Sequence, residues 1–326
     1  MKLRTIGLIG ILALTFLSVL LPAEAQQAGK MARIGYLRHS RGPNARDEAF
    51  QKALRELGWV EGKNITIEYR WTGGKGDLLD ALAQELVRLK VDLIVASTGG
   101  RVQAAMRATK TIPIVMAVAA DAVENGYIDS LARPGGNVTG MSEQYAATNM
   151  KLLEVLHETL PKVTRVAFLW DPTSRVYIRT FKKAQAVAPA LGLMIQSLAL
   201  RNAEELESLL EGAVQEQAGA LVVMGRMYAN LGPRIAEFAA KNRMPVFSVH
   251  IPSVKKFGLL AYAYDGTDMF RRSATYVHKI LRGAKPEDLP VQRPVKFVLV
   301  VNLKTAKQIG VTIPPEVLWR ADKVIK

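Results

Sequence analysis

The sequence predicts an α/β protein of two doubly wound lobes, each built on a parallel sheet, joined by a multi-strand hinge. Two observations lead to this fold class. Short apolar strands alternate with amphipathic helices along most of the chain, which is the pattern of parallel sheets covered by helices on both faces. The order of segments in the first half also recurs in the second half, which indicates two similar units.

The first three segments of each unit are a strand, a helix and a second strand. Both helices close with Leu-Gly, a pattern typical of a helix C-terminus. In the first unit the segments are ARIGYLRHS (32–40), FQKALRELGW (50–59) and ITIEY (65–69). In the second unit they are TRVAFLWDP (164–172), FKKAQAVAPALGL (181–193) and MIQSLAL (194–200).

The correspondence continues through each unit. We expect a helix at 77–90 with Asp77 as its N-cap, matched by a helix at 202–217 with Asn202 as cap. The remaining matched segments are a strand, a helix, a proline-marked strand and a final strand. They fall at 91–97, 101–110, 112–118 and 137–141 in the first unit, and at 218–225, 233–242, 244–249 and 258–264 in the second.

The tail is less regular than the repeat. It predicts a helix at 268–283, an extended proline-rich stretch at 285–294, a strand at 296–302, a short helix at 303–311 and a final segment at 313–325. A tail of this length can pass between the lobes more than once, which would make a hinge of several strands.

The N-terminus and the composition suggest where the protein works. Lys2 and Arg4 precede an apolar run, and Ala23-Glu24-Ala25 then fits the small-residue cleavage pattern, so residues 1–25 are predicted to be a cleavable signal peptide. The chain has no cysteine, which excludes disulfides, thiol catalysis and a lipid anchor on cysteine. We therefore expect a periplasmic protein without a lipid anchor. In that compartment the net charge of +15 reflects a general surface bias rather than nucleic-acid binding.

The motifs of common catalytic sites are missing from the sequence. The four histidines are dispersed, and there is no G-x-S-x-G elbow or Walker A loop. The glycine-rich TGGKGD (72–77) lacks the spacing of a phosphate-binding loop and is interpreted as a flexible connection. We expect a binding protein with no catalytic residue, no metal and no cofactor.

Two doubly wound lobes place a crevice at the carboxyl ends of their strands, where ligands bind. Thr98 and Gly99 follow the buried strand VDLIVAS and precede a helix, so their backbone N–H groups can hold the anionic end of a small ligand. The alternative is a tight turn that merely needs glycine. Ala117 and Val118 end the IPIVMAV strand and are expected to form a small apolar wall.

The second lobe supplies the remaining candidates. Trp170 can stack on a flat ligand or belong to the core, and Arg226 can pair with a carboxylate or stay a solvated surface side chain. The other candidates also stand at strand ends or at the second passage between the lobes: Asp171, Gly225, Met227, His250, Tyr264 and Asp265.

Several stretches carry a family likeness. They are GYL near residue 35, ELGWVEGKNITIEYRW, LARPGGNVTG and the long block FRRSATYVHKILRGAKPEDLPVQRPVKFVLVVNLKTAKQIGVTIPPEVL. Together they resemble the substrate-binding protein family of ABC transporters that includes tryptophan and tyrosine binders. The resemblance implies a type I periplasmic binding protein fold, a small-molecule ligand, and an inner-membrane permease with its ATPase as partners.

The resemblance also implies where the lobes divide. The first lobe would comprise residues 31–141 plus 267–297, and the second 142–266 plus 298–326. It further implies that the loop of His39 and Ser40 supplies polar contacts to the ligand. Aromatic amino-acid binders of the family have a carboxylate-bearing turn near residues 226–228, whereas this chain has Arg226-Met227-Tyr228. That departure favours a carboxylate without an amine over an α-amino acid.

The sequence therefore predicts a monomeric periplasmic solute-binding protein of an ABC importer, which captures a small carboxylate-bearing solute, aromatic or other, by hinge closure. The alternatives are a periplasmic sensing subunit of a receptor kinase and, less favoured by the missing motifs, an enzyme that uses the cleft.

Overall fold

The computed structural model describes residues 31–38, 42–73, 76–225 and 227–326, with the backbone alone at 228–230. The predicted signal peptide lies outside the described residues. Twelve strands are described: β1 (Ala32–Arg38), β2 (Ile65–Trp71), β3 (Leu93–Ala96), β4 (Ile114–Ala120), β5 (Val138–Glu143), β6 (Arg165–Trp170), β7 (Met194–Ala199), β8 (Ala220–Val223), β9 (Val246–Ser248), β10 (Leu260–Tyr264), β11 (Phe297–Asn302) and β12 (Lys323–Ile325).

The described α-helices alternate with these strands. They are α1 (Ala45–Glu56), α2 (Leu79–Arg88), α3 (Gly99–Ala108), α4 (Tyr145–Thr159), α5 (Arg175–Val187), α6 (Leu206–Gln215), α7 (Met227–Lys241), α8 (Ile251–Val254), α9 (Gly266–Leu281), α10 (Leu303–Ile309) and α11 (Pro315–Trp319). Short 3₁₀ turns precede α2 and α6, so Leu78 and Glu205 occupy the N-cap positions there. The predicted caps Asp77 and Asn202 are therefore wrong for these two α-helices.

The strands form two sheets with different make-up. The first is parallel throughout, in the order β2-β1-β3-β4-β5. The second has the order β12-β11-β10-β9-β8-β6-β7 and is parallel except between β10 and β11. It has seven strands rather than about five, because β11 and β12 of the tail add to its edge beside β10.

Helices cover both faces of each sheet. In the first lobe Phe50 of α1 and Phe270 of α9 pack on one face, and Leu86 of α2 and Val102 of α3 pack on the other. The second sheet is covered by α4 and α5 on one face and by α6 and α7 on the other. Burial of these apolar faces drives the folding of each doubly wound lobe.

The chain passes between the two sheets three times: after β5, between β10 and α9, and before β11. The sequence expectation of a hinge made of several segments thus has a direct counterpart in the strand order. All strands except β11 and β12 run in one direction within their sheets, so the carboxyl ends of each parallel set lie at one edge.

Candidate ligand-binding cleft

A cavity of about 1390 Å³ lies between the two lobes. Its walls come from the carboxyl ends of strands in both sheets and from the turns that follow them. Ser97, Thr98 and Glu143 line it from the first lobe, and Tyr145 and Tyr177 line it from the second. A cavity of this size is ample for a small solute.

The feature of the cleft best suited to an anion is the start of α3. Thr98 is the extended N-cap of this ten-residue helix, and Gly99 is its first residue. The hydroxyl of Ser97 is buried and has no hydrogen-bond partner among the described residues. Helix N-termini favour anions, and a buried hydroxyl without a partner is costly, so this turn fits a ligand oxygen that accepts hydrogen bonds.

A buried arginine, Arg101, is hydrogen-bonded to this turn. The Arg101 side chain is 3% exposed. Its Nε donates to the Arg38 carbonyl oxygen at 2.7 Å, and its Nη1 donates to Thr98 Oγ1 at 2.9 Å. A positive charge fixed beside a helix N-terminus strengthens the local preference for an anion.

Gly99 leaves room for a tyrosine hydroxyl at the same place. A Cβ at Gly99 would lie 2.9 Å from the Tyr127 hydroxyl oxygen, closer than real Cβ contacts allow. Tyr127 lines the cleft as well. Its hydroxyl therefore stands beside the α3 N-terminus, where it can donate a further hydrogen bond to a bound carboxylate.

An aromatic pair faces this turn from the second lobe. The rings of Tyr145 and Tyr177 are 5.5 Å apart and tilted by 42°. The Gly225 N–H donates to the Tyr145 hydroxyl oxygen at 2.8 Å. A Cβ at Gly225 would lie only 2.0 Å from the Tyr177 hydroxyl oxygen, and the backbone φ of +69° also favours glycine. Gly225 thus lets two tyrosines line the cleft.

A charged cluster occupies the hinge side of the cleft. Burial, together with the nearby Asp121, raises the pKa of Glu143 to about 8, while Arg46 and the hydrogen-bonding Tyr264 hydroxyl act in the opposite direction. Burial also raises the pKa of Tyr264. The pKa of His250 falls to about 4 because of burial and the positive charge of Arg46. Near neutral pH His250 is therefore uncharged, and Glu143 is mostly protonated.

One side-chain contact joins the lobes across the cleft. The Arg179 Nη2 on α5 donates to Asn125 Oδ1 at 2.9 Å, and Asn125 belongs to the loop after β4 of the first lobe. A second link lies at the hinge, where the Tyr145 N–H donates to Asp121 Oδ1 at 3.1 Å. Contacts of this kind stabilise one relative placement of the lobes.

The predicted site residues divide into three groups. Half of them line the cleft: Thr98, Gly99, Val118, Gly225, His250, Tyr264 and Asp265. Four described residues do not line it: Ala117, Trp170, Asp171 and Met227. His39, Ser40 and Arg226 lie outside the described residues.

Local contacts explain why three of the four residues that do not line the cleft have side chains directed away from it. The Trp170 ring stacks on Phe181 at 4.5 Å, and its Nε1 donates to Ser197 Oγ at 3.0 Å, which makes it part of the second-lobe core. Ala117 is fully buried in the first-lobe core. Asp171 Oδ1 accepts from the backbone and hydroxyl of Thr173, so it stabilises the turn after β6.

Two residues need separate accounts: Met227, which does not line the cleft, and Asp265, which does. Met227 begins α7 and packs against the apolar clusters of the second lobe. Asp265 lines the cleft, but its carboxylate is already engaged: it accepts from the N–H groups of Thr267 and Asp268 as the N-cap of α9 and pairs with Lys296 at 3.1 Å. A ligand group that used Asp265 as an acceptor would therefore have to compete with these contacts.

Several residues that line the cleft were missed by sequence reasoning, among them Ser97, Tyr127, Glu143, Tyr145 and Tyr177. A signal for Glu143 was present, since it lies two residues beyond the predicted strand 137–141, and β5 extends to it. A bulge in β4 between Met116 and Ala119 aligns Glu143 with Ala120 at the strand ends. Such a shift in register cannot be predicted from residue alternation.

Comparisons with known proteins agree with this architecture. The fold is that of type I periplasmic binding proteins. A family model described as ABC transporter substrate binding protein matches residues 38–325, and the chain belongs to this family. Proteins of this family bind small ligands that are delivered to a permease.

Individual relatives are similar over most of the chain. A Tyrosine-binding protein of Clostridioides difficile is 26% identical over 263 residues, which cover 80% of this chain and 75% of that protein. The structure of an ABC domain from Streptococcus pneumoniae in complex with L-Trp has a TM-score of 0.82 at 26% identity and covers 91% of this chain and all of that one. A conserved domain protein from Vibrio cholerae has a TM-score of 0.83 at 25% identity, with 90% and 100% covered.

The described residues contain neither a membrane span nor a cluster of metal ligands. None of the described helices combines the length and apolar character of a membrane span. Within the same ranges, no three histidine or carboxylate side chains gather as metal ligands would.

Proposed function

We propose that this chain is the solute-binding protein of an ABC importer, and that it captures an aromatic α-amino acid or a closely related aromatic carboxylate in the inter-lobe cleft. The observation that carries the proposal is the pairing of two unlike walls across one cavity. The α3 N-terminus with the unpartnered Ser97 hydroxyl suits a carboxylate, and Tyr145 with Tyr177 suits a ring. The tyrosine and L-Trp named for the two relatives carry both groups.

Capture in this proposal works by hinge closure. A ligand that touches both walls stabilises the closed arrangement by its differential affinity for that state, and by no more. The three passages of the chain between the sheets act as the hinge, with lobes of 31–141 plus 267–297 and 142–266 plus 298–326, except that β5 extends the first lobe to Glu143 and β11 begins the second sheet at Phe297. The closed protein would then deliver its cargo to the permease from the periplasm, after removal of residues 1–25.

Ligand screening tests the binding function. Residues 26–326 are assayed by thermal shift and calorimetry against L-tryptophan, L-tyrosine, L-phenylalanine and their analogues without the amine, with L-arginine and glucose as controls. At 100 times Kd, a true ligand adds about 2.7 kcal/mol to the free energy of unfolding. Stabilisation by the aromatic compounds alone is expected, whereas equal stabilisation by glucose would contradict the proposal.

Two further assays address delivery and chemistry. Deletion of the gene is expected to abolish high-affinity uptake of the radiolabelled ligand, and cell fractionation is expected to find the mature chain in the periplasm. The ligand is expected to be recovered unchanged after long incubation with the protein, because we propose binding without turnover. Binding with normal uptake in the deletion strain would instead favour a sensing role.

A further inference from the structure

The most unusual group in the cleft is the carboxyl of Glu143. This residue ends β5, lines the cavity, and has its backbone oxygen held by the Asp121 N–H at 2.8 Å. A carboxyl group placed in a partly dry cleft needs a positive partner in order to ionise.

The surroundings of Glu143 supply only partial compensation. From the loop after β4, Asp121 adds negative charge, and from β10 the Tyr264 hydroxyl donates a hydrogen bond. From α4, Tyr145 is a neutral neighbour, and from α1, Arg46 supplies positive charge. His250, at the start of α8, is kept neutral by burial and by Arg46.

Arg46 opposes the protonation of Glu143 without overcoming it. Its guanidinium lies 6.0 Å from the centre of the Phe270 ring, and its Nε would be only 2.5 Å from a Cβ at Gly266, so its position against α9 is tightly defined. The pKa of Glu143 remains at about 8 in its presence. The Glu143 carboxyl is therefore mostly uncharged near neutral pH, and a second cation beside it would ionise it.

We infer that Glu143 receives the ammonium group of the bound amino acid and releases its own proton to solvent as the ion pair forms. The inference rests on the proposed function and specifies which residue of the cleft recognises the ammonium group of the ligand. The step is balanced: the ligand keeps its three N–H bonds, the Glu143 O–H bond breaks, and one proton leaves for bulk water.

The spacing of the two polar sites agrees with an α-amino acid. β3 and β5 are separated by β4 alone, so their carboxyl ends are about 10 Å apart. A ligand that bridges the α3 N-terminus and Glu143 spans two hydrogen bonds of about 2.9 Å each and about 3 Å between its own carboxylate and ammonium groups, which gives about 9 Å in all. The flexible Glu143 side chain can cover the difference of about 1 Å from the distance between the strand ends.

The inference also accounts for the departure at residues 226–228, where this chain has no acid. A carboxyl on β5 of the first lobe would take over the recognition of the amine. Both charged ends of the ligand would then be bound by the first lobe, and the ring would be left for the tyrosine pair of the second.

Calorimetry on matched ligands provides the test. Each aromatic amino acid is compared with its analogue lacking the amine: L-tryptophan with indole-3-propanoate, L-tyrosine with 3-(4-hydroxyphenyl)propanoate, and L-phenylalanine with 3-phenylpropanoate. Titrations at pH 7 in buffers of different ionisation enthalpy count the protons released on binding. A group with a pKa of about 8 is roughly nine-tenths protonated at pH 7, so close to one proton per amino acid is expected, and none for the analogue.

Affinity has a matching pH dependence. The form of Glu143 that binds the ammonium is the ionised one, so Kd for the amino acid is expected to fall about tenfold from pH 6 to pH 7 and to level off above pH 8. Kd for the analogue is expected to stay nearly constant over this range.

The Glu143→Gln variant isolates the carboxyl. It is expected to bind the amino acid roughly 30-fold more weakly at pH 8, to bind the analogue within threefold of the parent protein, and to release no proton. Glu124→Gln serves as the matched control, because Glu124 is an exposed carboxylate on the neighbouring loop, and it is expected to keep the parent values.

The outcomes separate the two proposals. If no member of any pair binds, the proposed function and this inference fall together. If the analogue binds as tightly as the amino acid, or if Glu143→Gln releases the same proton or weakens both ligands equally, this inference alone is overturned.

Discussion

The turn after β3 in the first lobe and the turn after β8 in the second occupy corresponding places in the repeat, yet they meet the cleft differently. At the first turn, Gly99 lines the cavity at the start of α3, beside the buried Ser97 hydroxyl, which has no hydrogen-bond partner among the described residues. At the second turn, the Gly225 N–H is already bonded to the Tyr145 hydroxyl. The first turn offers hydrogen bonds to a ligand, whereas the second uses its own to hold an aromatic ring.

This difference teaches how a duplicated fold becomes an asymmetric binding site. The same strand–turn–helix geometry places backbone donors at both walls, and a single tyrosine on α4 converts one of them into an apolar surface. In the proposed function, the first lobe binds the charged groups of the ligand, and the second closes over its ring. Each wall alone gives incomplete binding, which is why a ligand with both groups favours closure.

The largest expected effect concerns the charged wall in the absence of ligand. Because the pKa of Glu143 is raised in the folded protein, its contribution to stability is present below its ordinary pKa and is lost as pH rises through about 8. Glu143→Gln removes this loss, so the ligand-free variant is expected to exceed the parent protein by roughly 2–4 kcal/mol in free energy of unfolding at pH 8.

Chemical denaturation at pH 5 and pH 8 measures this gain. The difference between Glu143→Gln and the parent protein is expected to shrink towards pH 5. The exposed Glu124→Gln variant again serves as control, and a pH dependence of stability identical in all three proteins would contradict a buried, protonated Glu143.

The second effect concerns the donors of the first turn. In Gly99→Ala the new methyl would lie 2.9 Å from the Tyr127 hydroxyl oxygen, so the tyrosine must move and the anion site is disturbed. We expect a loss of about 2 kcal/mol, or about 30-fold, for every carboxylate ligand, with or without an amine. Calorimetry of the matched ligand pairs measures it.

A neighbouring glycine provides the comparison. A Cβ at Gly100 would meet nothing nearer than a Leu79 methyl at 3.9 Å, so Gly100→Ala is expected to weaken binding less than threefold. Equal losses in the two variants would mean that the turn itself, rather than the space beside Tyr127, limits binding.

The third effect concerns the aromatic wall. Tyr177→Ala removes one ring of the pair and is expected to weaken the binding of aromatic ligands by about 1.5 kcal/mol, or roughly tenfold in Kd.

Trp170→Phe tests whether the ligand ring stacks on Trp170 instead. Because Trp170 packs on Phe181 in the core, this variant is expected to lower Tm while ligand affinity stays unchanged. The reverse pattern would move the aromatic contact to Trp170.

The smallest effect concerns the link between the walls. Arg179→Ala removes the contact to Asn125 and is expected to weaken binding by about 0.5–1 kcal/mol, two- to fivefold, through faster ligand release. Stopped-flow dissociation measures it, and the exposed Lys182 on the same helix provides the control variant Lys182→Ala. Unchanged release rates would show that this contact does not stabilise closure.

Much of the fold followed from local pattern. The alternation of apolar strands and amphipathic helices predicted both parallel sheets, and the repeat predicted two lobes. The seven-stranded second sheet did not follow, because the pairing of β11 and β12 at its edge is a contact between segments distant in sequence. Thr98, Gly99 and Gly225 were predicted as cleft residues because strand-end turns in this fold lie at the crevice.

The side chains around those turns were harder to predict. The sequence predicted Trp170 and Ala117 at strand ends, but β4 continues to Ala120, so Ala117 lies inside it. Both side chains point into the cores, and only the packing of α5 and α9 decides this. Tyr145 and Tyr177 stand on helices, where an amphipathic pattern cannot distinguish a core ring from a cleft ring.

By itself, the sequence determined the lobes, the hinge and the position of the anion-binding turn, because these depend on hydrophobic periodicity and on glycine at a helix start. Only the tertiary structure decided that a carboxyl would be brought into the cleft. Glu143 acquires its altered chemistry from Asp121, Tyr264 and Arg46, which stand on three other parts of the chain. Desolvation and charge depend on distance in space, and the linear order of residues does not contain that distance.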